Sequence, residues 1–413
     1  MIEKEKHGLE TSIIDHRFLK KDIHGAIMMP VYAGAAFEFD SAESMEDAFV
    51  GRTGAHAYSR ISNPTVEDFE QRVKIASEAV AVTALASGMA AISNTFLTIA
   101  YSGANIVTSP HLFGNTFSFF LFTLKSFGVE VRFCDFIDTE SIEAYVDENT
   151  CAIFTEVITN PHMEVAKLKK ISAIAQKKNV PFILDTTLVP WSVFKARHFG
   201  VDIEIVSSTK YISGGATSIG GLIVDHGTYD WKKSSKLNAI AAQHGNMSFN
   251  VKLRSEIFRN LGACMSPQVA SMQSLGLETL DLRYKHASTS CLALASFLRR
   301  LSATGSVSYN GLPTDPYHRI SKEQFGNSPA GAMLTFSLKN KAACFAFMNK
   351  LKVIRRATNL FDNKTLIIHP SSTIYGSLAI QYRQMVNVPD DIMRLSVGLE
   401  NVEDIKNDIL QAL

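Results

Sequence analysis

Residues 179–211 read NVPFILDTTLVPWSVFKARHFGVDIEIVSSTKY. Two short, mostly apolar runs stand out, residues 182–184 and 203–206, each bounded by polar or turn-forming residues. Runs of this length read as strands buried on both faces, the kind found in parallel sheets. The first closes on Asp185 and the second leads through Ser207, Ser208 and Thr209 to Lys210. In open α/β sheets ligands bind outside the carboxyl ends of the strands, so both charged residues sit where chemistry is expected. The 25 residues from Asp185 to Lys210 suffice for one helix and one strand. The spacing therefore predicts that the two lie on neighbouring strand ends.

Outward from that core, residues 79–225 alternate short apolar runs with amphipathic stretches, the pattern of parallel strands joined by crossover helices. Strands are expected at 80–85, 106–108, 129–134, 152–157, 181–185, 203–207 and 222–224, with helices between them. The segment 165–178 (VAKLKKISAIAQKK) shows the helical period, with Leu168, Ile171 and Ile174 on one face and lysines on the other. Asn179 and Pro181 then stop it. Residues 1–55 have weak periodicity and a Met28-Met29-Pro30 step, and are expected to form an extended arm that needs a partner to lie on. A large domain is expected over 56–255 and a smaller α+β domain over 256–413. The smaller domain is expected to hold a long helix at 266–300, a Gly/Pro/Asn-rich stretch at 310–330 and a last helix capped by Asn401.

Composition narrows the function. The 413 residues carry 41 Lys plus Arg against 40 Asp plus Glu, which gives no electrostatic case for nucleic acid or an anionic membrane. Cys134, Cys151, Cys264, Cys291 and Cys344 are scattered, odd in number and without a C-x-x-C pair, which favours a reducing compartment over disulfides or thiolate zinc. The N-terminus lacks the apolar core of a secretory signal, and a cytoplasmic location is expected. Residues 79–124 contain no Asp, Glu, Lys or Arg, but polar residues interrupt them every few positions and Pro110 breaks them. They read as buried α/β structure and not as a membrane span. Small-molecule chemistry is the remaining class.

Common nucleotide and hydrolase signatures are absent. There is no G-x-x-x-x-G-K-[ST], no G-x-S-x-G, and the glycines at 214, 215, 220 and 221 are in the wrong order for a dinucleotide fingerprint. The twelve histidines show no metal-ligand spacing, so no metal is expected. Three other features are left. Ser87-Gly88-Met89-Ala90 ends a strand and opens a helix, whose free N–H groups and dipole can hold a phosphate; the plainer alternative is an N-cap Ser beside a packing Gly. Asp185 closes a strand, as many turn-capping residues do. Lys210 sits among apolar and hydroxyl-bearing neighbours, where burial makes an amine reactive, or it is a solvated strand-end lysine. Together they supply a phosphate cradle, an acid for a pyridine nitrogen and an imine-forming lysine, the three things pyridoxal 5′-phosphate needs.

At these residues the chain resembles the Cys/Met-metabolism (trans-sulfuration) family of pyridoxal phosphate enzymes, of the fold type I, aspartate-aminotransferase-like class. The likeness runs over nearly the whole length. It rests on Tyr58-Ser59-Arg60 with Asn63-Pro64-Thr65, Ser87-Gly88-Met89-Ala90-Ala91, 112–116 (LFGNT), Thr159-Asn160-Pro161, Asp185-Thr186-Thr187, 207–211 (SSTKY) and 393–400 (MRLSVGLE). The resemblance implies that Lys210 is the Schiff-base lysine and proton shuttle and that Asp185 partners the pyridine nitrogen. It implies that Gly88, Met89, Ser207 and Thr209 hold the phosphate and that Phe113 stacks on the ring. It also implies that Arg394 binds the substrate carboxylate, that Asn160 supports both the cofactor O3′ and that carboxylate, that Asn359 lines the substrate pocket, and that Tyr58 and Arg60 reach the phosphate of a neighbouring subunit. A homodimer with shared sites, paired into a tetramer, follows from the last of these.

Four positions depart from the family pattern. Phe113 stands where Tyr is usual and loses a hydroxyl, Thr186 replaces Asn, Val206 replaces His or Tyr, and Asn115 stands where methionine γ-lyases often carry Cys. The C-terminal half is most similar to the O-acetylhomoserine sulfhydrylase branch, through Asn260-Leu261-Gly262-Ala263, Ser266-Pro267, 276–280 (GLETL), Asn359 and 365–373 (TLIIHPSST). That implies γ-replacement on an O-acylated homoserine by sulfide or a thiol. A methionine or cystathionine γ-lyase, a cystathionine γ-synthase and a non-catalytic binding protein are the alternatives.

Overall fold

The computed structural model describes residues 7–18, 22–327 and 331–413. Its centre is a seven-stranded sheet of β1 (Ala81–Leu85), β2 (Asn105–Thr108), β3 (Glu130–Phe133), β4 (Thr150–Glu156), β5 (Phe182–Asp185), β6 (Ile203–Val206) and β7 (Gly221–Asp225), in the order β1-β7-β6-β5-β4-β2-β3. The pairs from β3 through β2, β4 and β5 to β6 are parallel. β7 runs antiparallel to both β6 and β1, a departure from the uniform alternation that the sequence predicts. Both faces are covered. Val82, Ile153, Phe182, Leu184 and Val224 enter one apolar core, while Leu85, Ile106, Phe154, Ile183 and Ile205 enter the other. A strand flanked by two cores is mostly apolar, which is why these strands read as runs without alternation.

Asp185 and Ile205 are register partners on β5 and β6, so the expected neighbouring strand ends are present. The crossover between them differs from expectation. In place of an α-helix it has a single 3-10 turn, Ala196–Phe199, ended by Gly200 at φ 73. Trp191 and Phe194 turn inward to the core, and the backbone closes only single turns, such as Val193 N and Phe194 N on the Pro190 carbonyl at 3.0 and 3.2 Å, without running on into an α-helix. The helix expected at 165–178 begins later, as Leu168–Lys178, and ends at Asn179 in the left-handed conformation.

A second sheet of five strands follows: β8 (Val307–Ser308), β9 (Met333–Ser337), β10 (Arg355–Arg356), β11 (Leu366–Ile368) and β12 (Ile392–Ser396), in the order β10-β11-β12-β9-β8. The fold is thus a mostly parallel α/β sheet with a smaller α+β unit, as the sequence predicts. The long helix expected over 266–300 is two helices, Pro267–Glu278 and Leu280–Leu298. Close packing accompanies the break: a Cβ on Gly276 would stand 2.1 Å from the Ile212 carbonyl oxygen. The stretch 310–330 contains a helix, His318–Phe325, and its residues 328–330 lie outside the described part. The last helix, Val402–Ala412, is capped by the Asn401 side chain on Glu403 N. Of the expected arm, residues 1–6 and 19–21 lie outside the described part. The rest carries two short helices, Leu9–Ile14 and Ala42–Phe49, and exposes Ile23, Ile27 and Met28.

Candidate active site

The helix Gly88–Ile99 starts directly after β1, and Ser87 caps it by accepting Ala90 N at 3.0 Å. The capping reading of Ser87 therefore holds, and it leaves the Gly88 and Met89 amides without an acceptor among the described residues. Gly88 is required by contact. A Cβ there would meet the Ser207 Cβ at 2.8 Å, and one on Gly221 would meet the Ser87 carbonyl oxygen at 2.0 Å. Two free helix-start amides opposite a serine at the end of β6 form a cradle of donors that suits an anion.

Contacts run from that cradle to the charged groups. Ser207 N donates to Thr187 Oγ1 at 2.9 Å, and Thr187 N donates to Asp185 Oδ1 at 2.9 Å. Lys210 N donates to the Ser207 carbonyl at 3.1 Å. Its neighbour Tyr211 stacks on Phe361 at 3.8 Å and accepts Ala332 N at 3.0 Å, which fixes the lysine's backbone against the second sheet. Thr209 is committed elsewhere: its hydroxyl donates to the Gly220 carbonyl at 3.1 Å and accepts Gly220 N at 3.0 Å, so it shapes the lysine loop.

Burial dominates the electrostatics. It lowers Lys210 to about 8, with the Arg394 guanidinium pushing the same way and Asp185 opposing. Asp185 is pushed up to about 6, first by burial, against its bonds to Thr187 and with the Glu204 charge adding to the rise. The Lys210 Nζ donates to Asn359 Oδ1 at 2.8 Å. Arg394, on β12 and 2% exposed, donates to Asn160 Oδ1 at 3.0 Å and to the Thr358 and Asn359 carbonyls at 3.3 and 3.2 Å. Its Nε has no partner among the described residues, and burial lowers the group to about 9. A buried guanidinium with an unused N–H is poised for an anionic ligand.

Two buried residues that the sequence reading missed complete the arrangement. Glu156 on β4 accepts the Phe113 amide on one oxygen and, at 3.2 Å, the Asn160 amide on the other. Burial and then the nearby Asp185 charge push its carboxyl well above the ordinary range. Tyr375 donates from its hydroxyl to the Leu112 carbonyl at 2.8 Å and the Asn160 carbonyl at 3.0 Å. Glu156 closes an apolar strand just as Asp185 does, and that parallel is the signal that was available. Nothing in the local sequence marks Tyr375, because both its partners are backbone groups far away in the chain.

Tyr58 and Arg60 are not brought to Lys210 within one chain. Tyr58 is exposed, the Arg60 guanidinium lies 5.3 Å from its ring centroid, and Arg60 Nη1 donates to the Arg259 carbonyl at 2.6 Å.

A partly neutral lysine amine, a half-buried carboxylate and a glycine-lined anion cradle, joined by short contacts at the ends of parallel strands, define an enzyme that carries pyridoxal 5′-phosphate. The chain belongs to the Cys/Met metabolism PLP-dependent enzyme family, whose sequence profile matches residues 10–413. The O-acetylhomoserine sulfhydrylase of the methionine biosynthetic pathway of Wolinella succinogenes shares 45% identity, with a TM-score of 0.76, covering 86% of this chain and 99% of that one. A Campylobacter jejuni structure described as an O-acetylhomoserine (thiol)-lyase superposes with a TM-score of 0.93 at 32% identity, covering 98% of this chain and 99% of that one. It carries a pyridoxyl-lysine monophosphate. The L-methionine gamma-lyase of Fusobacterium nucleatum is 33% identical over 415 residues, 100% of this chain and 99% of its own.

Proposed function

We propose that this enzyme replaces the γ-substituent of O-acetylhomoserine with sulfide or a thiol, giving homocysteine or methionine. The observation that carries the reading is the pairing of Lys210 and Arg394 through one residue. Asn359 takes the lysine Nζ on its side chain and the arginine on its carbonyl. An amine-reactive group and a carboxylate-binding group held this way match the two ends of an α-amino acid.

When bound, the cofactor supplies an aldehyde for the substrate amine and a ring that accepts electron density from the substrate carbon. Gly88, Met89 and Ser207 would hold its phosphate, Asp185 its ring nitrogen, and Phe113 its ring face. Arg394 would grip the substrate carboxylate as a bidentate fork, steadied by Asn160. Lys210, lowered to about 8, keeps enough neutral amine near pH 7 to take the proton from the substrate α-carbon. Phe113 has no hydroxyl to share that work, so Lys210 would also carry the proton at the β-carbon. The 45% identity to the Wolinella succinogenes sulfhydrylase supports replacement. The Fusobacterium nucleatum relative favours a second reading, γ-elimination from methionine.

Tyr58 and Arg60 are read as donors to the phosphate of a second subunit, which would make residues 1–55 an inter-subunit arm and the enzyme a dimer or a pair of dimers. The unit over 56–255 would carry the cofactor, 256–413 would close over the substrate, and the enzyme would work in the cytoplasm. Among the described residues no helix is long and apolar enough to cross a membrane.

The test is a visible spectrum of purified protein beside Lys210→Ala, then O-acetylhomoserine with and without sulfide. Loss of the cofactor band in the variant, with thiol product only when sulfide is present, is the expected outcome. Keto-acid release without sulfide would move the reading to a lyase, and absence of a band in both proteins would end it.

A further inference from the structure

Glu204 stands inside β6, fully buried, with Ile203, Ile205 and Val206 as its neighbours along the strand. An apolar side chain would fill that space more cheaply than a carboxylate. Its partners are specific. Oε1 accepts from the Thr186 hydroxyl and, at 2.8 Å, from Trp191 Nε1. Oε2 lies 3.3 Å from Nε2 of His226, also fully buried, at an angle too poor for a hydrogen bond, and neither atom has another partner among the described residues.

Two of these three contacts come from the segment that leaves Asp185. Thr186 is the next residue and Trp191 lies five further on, so the carboxylate fastens the turn that directly follows Asp185. The register places Asp185 level with Ile205, whereas Asp225, just before His226, is level with Ile203. Glu204 therefore lies between Asp185 at one end and the imidazole at the other. The other charges that bear on the cluster are Lys195 in the crossover, whose Nζ is taken by the Ala76 carbonyl, and Asp202 and Asp225 beside His226, while Asp185 itself also faces Lys210, which opposes the rise, and Glu156 on β4.

We propose that Glu204 is a positioning residue for the cofactor site: it clamps the turn that directly follows Asp185, and its negative charge strengthens the hold of Asp185 on the proton of the bound cofactor's pyridine nitrogen. The proposal rests on the reading of Asp185 as the partner of that nitrogen. A fixed negative charge behind a carboxylate makes the carboxylate more basic, and the Glu204 charge acts on Asp185 in this direction. A more basic Asp185 keeps the ring nitrogen protonated to higher pH, the state in which the ring withdraws electrons best.

The test uses holoenzyme loaded with pyridoxal phosphate labelled with ¹⁵N in the ring, whose chemical shift reports that nitrogen's protonation across pH. Wild type is compared with Glu204→Gln and Asp185→Asn. Glutamine has the same shape and keeps the oxygen that receives Thr186 and Trp191, so the clamp stays and the charge goes. Glu204→Gln is expected to lose the ring proton about one pH unit below wild type. Asp185→Asn is expected to have lost it already at neutral pH. If Glu204→Gln titrates like wild type while Asp185→Asn does not, Glu204 is structural only and the proposal is overturned. Should Asp185→Asn itself titrate like wild type, the reading of Asp185 fails first. If Glu204→Gln does not fold, Glu204→Met with His226→Leu fills the same space without charge. The same downward shift is then expected, and its absence overturns the proposal.

Discussion

Lys210 and Asn359 meet side chain to side chain, Nζ to Oδ1 at 2.8 Å, across 149 positions of sequence. The contact holds the amine in place while Asn359 also receives Arg394 on its carbonyl. Asn359→Ala removes a hydrogen bond to a charged donor, worth about 1.5–3 kcal/mol, so kcat/KM should fall by about 10–100-fold. Steady-state kinetics with O-acetylhomoserine and sulfide measure it, and a fall below threefold would contradict the role.

Arg394→Lys keeps the charge and loses the fork. The effect should appear in KM, raised by roughly 30-fold or more at an almost unchanged kcat, because one buried point charge cannot replace two parallel bonds to a carboxylate. An equal fall in kcat would show that the fork acts beyond binding.

Gly88→Ala puts a methyl carbon 2.8 Å from the Ser207 Cβ, at the start of the helix whose amides form the cradle. The strain falls on the proposed phosphate site. Affinity for pyridoxal phosphate should drop at least tenfold, read by fluorescence titration of the cofactor-free protein.

The lowered lysine has a signature in stability. With Lys210 near 8 in the cofactor-free fold and at its ordinary higher value unfolded, the unfolded chain binds more protons between those limits. Stability from this group therefore rises with pH through that window, and the cost of burying the charge is fully present below it. Cofactor-free Lys210→Met should be more stable than wild type near pH 7, by about 2 kcal/mol, and the difference should shrink as pH rises from 8 to 10.5. Denaturant midpoints at four pH values decide it; a gap that widened would reverse the sign of the argument.

Phe113→Tyr restores a hydroxyl where the family usually has one. The expected outcome is a several-fold gain in elimination from methionine or O-acetylhomoserine without sulfide, measured as keto acid. Unchanged elimination would mean that Lys210 alone suffices for proton transfer.

Much of this arrangement was legible before any coordinates. The strands that end at Asp185 and lead to Lys210 are mostly apolar because both faces are covered, and Gly88 and Arg394 belong to motifs whose residue types follow from their contacts. Other features were hidden for physical reasons. The crossover 186–202 has no α-helix because tertiary packing of Trp191 and Phe194 replaces local periodicity. Glu204 was invisible because a single carboxylate in an apolar run carries no period. Tyr375 acts on backbone carbonyls, which have no residue identity for a pattern to record.

Hydrogen bonds cross from the large sheet's side to the C-terminal unit at the site, among them Lys210 to Asn359, Arg394 to Asn160, and Tyr375 to the Leu112 carbonyl. They lie along one seam. A molecule gripped there is held from both lobes at once, so ligand affinity and lobe alignment are one linked equilibrium. A substitution far from any ligand that loosens the alignment will register as weakened binding, and a tight ligand will in turn raise the melting temperature of a lobe it barely touches.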